Sequence, residues 1–365
     1  MPSKASMPPN VRRFWSLIRW LLPLAWLAII GSLGILEHAD WKYFFYPALD
    51  AYISGDSPFM VEGIYSPPWF FMLLQPLMLL GLNASAFLLE YGSLVVLYTG
   101  LLLFLRDNKR LLIGFALLSP LNIYVLNQIW LAQIDILFTF TSILLTVLVA
   151  RKEEYYVWYA GIALLFLSLK PPSGIWLAFY LFYLVPTKEW WKMLLIPFAI
   201  GMLNLIVDYA LIMEFIETTL NRLGPSERPV WDVTIIGVAR FAELSGIWIV
   251  SLCVVAVGWI VYLWRQTTDF AERVMLVTIA GLLVNAYVGW HHLILLFAIS
   301  VPLILRRSTH PVIIITLFML GLVPIIRLYM TGADIISTVV VLILLTVTQP
   351  YQEASESAEN TSAVV

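Results

Sequence analysis

Leu164-Leu165-Phe166-Leu167-Ser168-Leu169-Lys170-Pro171-Pro172-Ser173-Gly174 sets one lysine and two prolines between apolar runs, since Ile175 to Val185 is apolar again. Two consecutive prolines lack the donors a helix interior needs and push the preceding residue out of helical geometry, so the run ending at Leu169 must break there. A charge inside apolar membrane sequence costs roughly 2.5–3.5 kcal/mol on insertion scales. Such a lysine either snorkels from a helix end to the headgroups or faces a cavity or substrate. Helix, charged break, helix is the unit from which the rest of the chain is read.

Composition places that unit in a membrane. Of 365 residues 61% are hydrophobic and only 12% charged, with mean hydropathy +0.89, whereas soluble domains carry about 25% charged residues. The formal net charge of −2 comes with no basic patch, so no nucleic acid partner is expected. The lone cysteine, Cys253, excludes intrachain disulfides and cysteine-rich metal sites. The four histidines, at 38, 291, 292 and 310, do not form a helical His-x3-His motif. The first apolar run, Phe14 to Leu36, is too long for a signal-peptide core and has no small-residue cleavage site after it, so it is expected to remain as an anchor.

Apolar segments near the ~20 residues that cross a bilayer, or somewhat shorter, fall at about 14–36, 67–82, 86–105, 111–126, 130–150, 157–169, 173–186, 190–212, 243–264, 272–290, 292–305, 311–328 and 332–348. No repeat or linker divides them, which predicts a single transmembrane domain over residues 1–349, with hydrophilic outer loops at 37–66 and 214–232. Residues 350–365, with Glu353, Glu356 and Glu359 among Ser, Ala and Thr, read as a disordered acidic tail.

Positive charge orients the chain. Lys4, Arg12, Arg13 and Arg19 put the N-terminus in the cytoplasm, and Arg106, Lys109 and Arg110, Arg151-Lys152, Lys188 with Lys192, Arg265 and Arg306-Arg307 belong on the same side. From Arg110 onward every crossing alternates without conflict, but between Glu37 and Arg106 two apolar segments would return the chain to the wrong side. The segment 67–82, short and carrying Pro67, Pro68 and Pro76, is therefore expected not to cross fully. A re-entrant or interfacial helix there leaves an all-α polytopic protein of the cell membrane with about 12 transmembrane helices and both termini cytoplasmic. One outer face then gathers the 37–66 loop with its amphipathic elements, the Gln128–Asp135 turn, the Lys170 break, the 214–232 loop and the His291-His292 pair.

Several residues on that face suit chemistry. In the first outer loop, aromatic residues alternate with carboxylates from Glu37 to Tyr52, a pattern for an element half buried in the headgroup layer. Asp40, flanked by Trp41 and Tyr43, should have a raised pKa there, as a general base requires; the alternative is an ordinary solubilising loop acid. Gln128, Gln133 and Asp135 lie in NQIWLAQIDIL, where polar groups either cap and glue helices or face a cavity. His291 and His292 follow Gly289-Trp290 at a turn and suit an anionic ligand near neutral pH. Arg222, Arg228 and Arg240 read first as loop arginines facing water.

The segment Asp40-x2-Tyr43-x2-Tyr46-x-Ala48, with Gly55-x-Ser57-Pro58 and Tyr65-Ser66-Pro67-Pro68, resembles the opening of the GT-C polytopic glycosyltransferases. Within that group the resemblance is to glycosyltransferase family 87, the polyprenol-phosphate-mannose-dependent mannosyltransferases. Three further features recur there in the same order: Gln133-Ile134-Asp135, Lys170-Pro171-Pro172 and Trp290-His291-His292, so that the resemblance covers about residues 14–330. The chain departs at Ala132, where the family often has glycine, and at Asp232-Val233-Thr234, where it usually has Asn-Gln-Ser.

The resemblance implies a GT-C-like fold and an inverting transfer from a polyprenyl-phosphate-linked sugar to a lipid or envelope-glycan acceptor, without cofactor or metal. Asp40 then takes the place of the loop aspartate that deprotonates the acceptor hydroxyl. Lys170, His291 and His292 are expected at the donor phosphate, and Asp50, Tyr43, Tyr46, Gln133, Asp135 and Arg240 around the substrates. Elementary chemistry agrees: charge building on a leaving phosphate needs fixed cations, and direct inversion needs one base, whereas retaining hydrolase chemistry asks for a carboxylate pair. The alternative is a lipid or small-molecule transporter or flippase, which would also explain intramembrane polar residues. Transporters often repeat one half of their chain in the other and gate both ends, and neither pattern is present in this sequence.

Overall fold

A computed structural model describes residues 9–34, 36–64, 66–105, 122–222, 234–285, 292–308, 310–320 and 334–348. Among the described residues every regular element is helical. Three stretches are long and apolar enough to cross a membrane: Leu82–Leu103, Thr187–Val207 and Gly246–Gln266. A fourth arises if Tyr124–Leu131 and Ile136–Ala150, bent by 116° at their junction, count as one broken span. The remaining apolar helices have 10–17 residues. By length and composition, the described residues thus supply fewer full spans than the twelve expected, and the expected segments at 111–126, 272–290 and 311–328 lie partly outside the described residues. The acidic tail lies outside the described residues.

Helix α1 spans Pro9–Ser32 and α4 spans Leu82–Leu105. Between them the first outer loop is a folded layer. A π-helical turn over Trp41–Phe45 runs into α2, Tyr46–Ser54, and a 3-10 turn over Pro58–Met60 precedes α3, Pro68–Leu74. Their aromatic side chains make a second core: Trp41, Phe45, Phe59, Phe70 and Phe71 are buried together with Ala132, Ile134 and Leu169. The alternation of rings and carboxylates therefore builds a packed cap that docks on the 132–135 turn and on the end of the helix before Lys170. The α3 helix continues as a 3-10 turn over Gln75–Leu80, roughly 22 Å of helix against the ~30 Å of a hydrocarbon core.

The expected break at Lys170 is present. Helices α7, Tyr156–Leu169, and α8, Pro171–Leu184, meet at Lys170, whose φ of −134° and ψ of 68° are not helical, and α8 opens on the two prolines. The hairpin is tight: a Cβ on Gly174 would stand 2.9 Å from the Cβ of Leu167. Likewise a Cβ on Gly161 of α7 would stand 2.7 Å from the Met193 carbonyl oxygen, so glycine lets α7 approach helix α9, Trp190–Val207, backbone to backbone.

Two local features differ from expectation. The loop expected from Glu214 is helical from its start: α10 runs over Tyr209–Arg222, and Asp208 Oδ1 accepts from the Leu211 N–H at 3.0 Å to satisfy its first turn. Leu211 and Phe215 of that helix pack on the aromatic cap, while Tyr209, Met213, Ile216 and Leu220 are exposed. Arg307, expected as an orienting loop charge, pairs with Glu272 and donates from Nη1 to the Leu345 carbonyl at 3.1 Å, tying three helices together.

Helix α5, Ile123–Leu131, ends on Ala132 in left-handed geometry, with φ 52° and ψ 46°. That conformation costs an L-residue about 1–2 kcal/mol, partly offset by the larger unfolded-state entropy of a glycine. Ala132→Gly is expected to stabilise the protein by about 0.5–1 kcal/mol, read as a higher midpoint of thermal unfolding in detergent.

Candidate active site

The site is built from two similar backbone devices. Asp40 immediately precedes the π-turn Trp41–Phe45, and Asp135 immediately precedes a second π-turn, Ile136–Phe140, which leads into α6, Thr141–Ala150. A π-turn inserts an extra residue into a helix and re-aims the side chains beside it, which is why such turns recur at functional sites. Asp40 is further held because the buried Trp41 beside it donates from its indole N–H to Ser85 Oγ of α4 at 2.9 Å.

From these positions a continuous polar chain runs through the structure. The Gln133 amide donates to Asp40 Oδ2, and its Oε1 accepts from Lys170 Nζ at 3.0 Å. Lys170 Nζ lies 3.6 Å from Asp135 Oδ2 and 5.8 Å from the centroid of the Phe45 ring. Asp135, whose side chain is wholly buried, accepts from His292 Nδ1 at 2.9 Å, which fixes the orientation of the imidazole. Asp40, Gln133, Lys170, Asp135 and His292 thus form one cluster although they come from four separate stretches of chain. The Lys170 ammonium meets fixed partners inside the protein, and its side chain is 14% exposed.

Burial pushes the Asp40 carboxyl up to about 6; the nearby Lys170 ammonium opposes the rise and the Asp135 carboxylate adds to it. Asp40 is then a markedly stronger base than an ordinary carboxylate and still mostly ionised at neutral pH. One amide separates it from a fixed cation. The arrangement can accept a proton at one end and neutralise an anion at the other.

The remaining sequence candidates lie around this cluster. Tyr46 is half-buried with its ring edge-on to Trp41, Tyr43 is exposed beneath the Lys42 ammonium, and Asp50 and Arg240 are exposed, Arg240 on helix α11, Ile235–Phe241. None of these four hydrogen-bonds to the five-residue chain. Gln128 is buried, and its side-chain amide has no hydrogen-bond partner among the described residues, while its backbone carbonyl accepts from the Gln133 backbone N–H at 3.1 Å. His291 and the Asp232-Val233 pair lie outside the described residues; Thr234 caps α11, accepting from the Gly237 N–H at 2.9 Å.

Sequence reasoning missed one polar pair. His38, two residues before Asp40, donates from Nδ1 to Glu90 Oε1 of α4 at 2.6 Å. A carboxylate inside an apolar run was the signal that could have found it. No protein-family model, curated protein or solved structure matches this chain.

Proposed function

We propose that the protein is an integral membrane inverting hexosyltransferase of mannosyl type that takes its sugar from a polyprenyl phosphate and delivers it to a lipid or glycan acceptor on the outer face of the cell membrane. The observation that carries this reading is the convergence of Asp40, Gln133, Asp135, Lys170 and His292, the residues in which the resemblance to glycosyltransferase family 87 resides, in one cluster.

In this reading Asp40 takes the proton of the acceptor hydroxyl as its oxygen attacks the anomeric carbon from the side opposite the phosphate. The bond from that carbon to the phosphate oxygen breaks, and its electron pair leaves with the lipid phosphate. Lys170, with His292 and His291, meets the growing charge. Asp135 is buried and acts through others: it holds Lys170 and His292. Gln133 keeps base and cation at a fixed separation. The exposed Tyr43, Asp50 and Arg240, with the half-buried Tyr46, supply a rim for sugar and acceptor.

Purified protein in vesicles with a radiolabelled polyprenyl-phosphate mannose and a mixed lipid acceptor tests the proposal. Transfer of label with release of prenyl phosphate is the expected result. Movement of the labelled lipid across the bilayer with no transfer would replace it with a flippase.

The topology proposed with this function has about twelve crossings, cytoplasmic termini and a non-crossing 67–82 segment. The short α3 and its 3-10 continuation, packed into the aromatic cap, support it. Asn83 is exposed just beyond. A cysteine placed there is expected to react with an impermeant maleimide from outside intact cells; reaction only after permeabilisation would sink the twelve-crossing arrangement.

A further inference from the structure

We propose that His38 and Glu90 form a positioning pair that clamps the Asp40 turn onto α4 and keeps Asp40 both aligned with Gln133 and shielded from water. The inference rests on the transferase reading for its kinetic consequence, although the clamp itself is a matter of geometry.

Glu90 sits in a membrane helix with its side chain entirely buried, and its Oε2 has no hydrogen-bond partner among the described residues. A carboxylate there is costly unless paired, and His38 is its partner at 2.6 Å. His38 in turn has φ 56°, a left-handed conformation that is uncommon for a residue with a side chain, although histidine tolerates it better than most. Its carbonyl accepts from the Lys42 N–H at 2.7 Å, closing the turn that contains Asp40. On the other side of Asp40, Trp41 is tied to Ser85. Ser85 and Glu90 are five residues apart on α4, about 7.5 Å along its axis. One helix therefore grips the chain immediately before and after Asp40.

The charged groups facing Asp40 are Lys170 and Asp135, and the group facing His38 is Glu90. His38 makes no contact with the five-residue cluster, so it acts through the backbone it fixes. Releasing it lets water reach Asp40. A carboxylate that regains water moves back toward the ordinary value of about 4, and the acidic limb of the pH–rate profile moves with it.

The test compares His38→Ala and Glu90→Ala with His38→Asn, since asparagine tolerates left-handed geometry and its amide can donate to Glu90. The alanine variants are expected to lose roughly 10–100-fold in kcat. Donor KM should stay within about threefold, with the acidic limb shifted down by one pH unit or more as Asp40 regains water. His38→Asn is expected to keep the wild-type limb and most of the rate. An unmoved limb in folded alanine variants overturns the clamp, whatever happens to the rate, because a purely structural role lowers the amount of active protein without retuning it.

A second measurement needs no turnover: pH-difference infrared spectra of the carboxyl stretch, assigned to Asp40 by its loss in Asp40→Asn. A midpoint that falls in His38→Ala supports the clamp even if the wild-type protein transfers no sugar, an outcome that would sink only the transferase reading. Should Glu90→Ala not fold, the two His38 variants decide the matter, because an unchanged midpoint in His38→Ala overturns the proposal.

Discussion

In the transferase reading, Asp40→Asn is expected to abolish sugar transfer and at the same time to make the protein harder to unfold at neutral and alkaline pH. The first effect follows from basicity. Asparagine keeps the shape of the side chain and its contact with Gln133 but cannot take a proton, and loss of a general base costs roughly 10²–10⁴-fold in rate. The second follows from linkage. Burial raises the folded-state value of Asp40 to about 6, against about 3.9 in an unfolded chain. Below about pH 4 both states carry the proton and the group is neutral to stability. Between pH 4 and 6 the folded state holds a proton that the unfolded state has lost, so stability falls as pH rises. Above 6 the folded protein carries the whole cost of a desolvated carboxylate.

Removing that carboxylate should return about 1–3 kcal/mol at pH 8 and almost nothing at pH 4. Thermal unfolding of wild type and Asp40→Asn at the two pH values measures the difference, and the acidic limb of wild-type kcat/KM should fall near 6. Wild-type turnover by Asp40→Asn would pass the role of base to Asp50 or Glu37. In the transferase reading, a base that lowers the stability of its own fold is what a stability–activity compromise predicts.

Lys170→Met is expected to damage both fold and function. Had the lysine snorkelled, methionine would ease insertion by removing a charge from apolar sequence. Its ammonium instead bonds Gln133 and stands beside the wholly buried Asp135 carboxylate. Breaking a buried pair from one side can cost about 3–5 kcal/mol, and the His292 hydrogen bond that Asp135 keeps should hold the loss toward the lower end of that range. In the transferase reading the same substitution weakens donor binding and slows transfer together, because the cation acts on the phosphate in the ground state and more strongly as it leaves.

The double variant Lys170→Met with Asp135→Asn separates the two effects. Removing both charges should restore most of the stability but none of the rate, and the coupling read from the cycle should be strongly non-additive. Lys170→Arg should rescue only partly, since a planar guanidinium needs a different reach from a flexible ammonium. Donor affinity and unfolding midpoint that are both unchanged in Lys170→Met would return the lysine to the headgroups.

Much of the candidate site was legible because membrane sequence makes polar residues expensive. Gln133, Asp135 and Lys170 stand out against apolar surroundings, Asp40 by its aromatic neighbours in a hydrophilic loop and His292 by its place at a turn, and each is in the cluster. Glu90 was legible by the same rule but was passed over inside a long apolar run. Tyr43 belongs to the motifs of the resemblance, Asp50 to the same loop and Arg240 to the loop arginines, and all three lie exposed outside the hydrogen-bonded chain. The α10 helix was read as loop because Glu214 and Glu217 interrupt its hydropathy, although Asp208 marks its start.

By itself the sequence determined the helical membrane class, the break at Lys170 and the inventory of costly polar groups, because hydropathy, proline geometry and desolvation act over a few residues. Which polar group meets which was decided only by tertiary structure. Lys170 reaches Gln133 across 37 positions, His38 reaches Glu90 across 52, Gln133 reaches Asp40 across 93, and His292 reaches Asp135 across 157. No local preference spans such separations. The packing of an aromatic cap on two helix breaks brings those groups together, and the two π-turns aim them. That packing gives individually unfavourable residues partners: five of them in one hydrogen-bonded chain, and His38 with Glu90 in a separate pair.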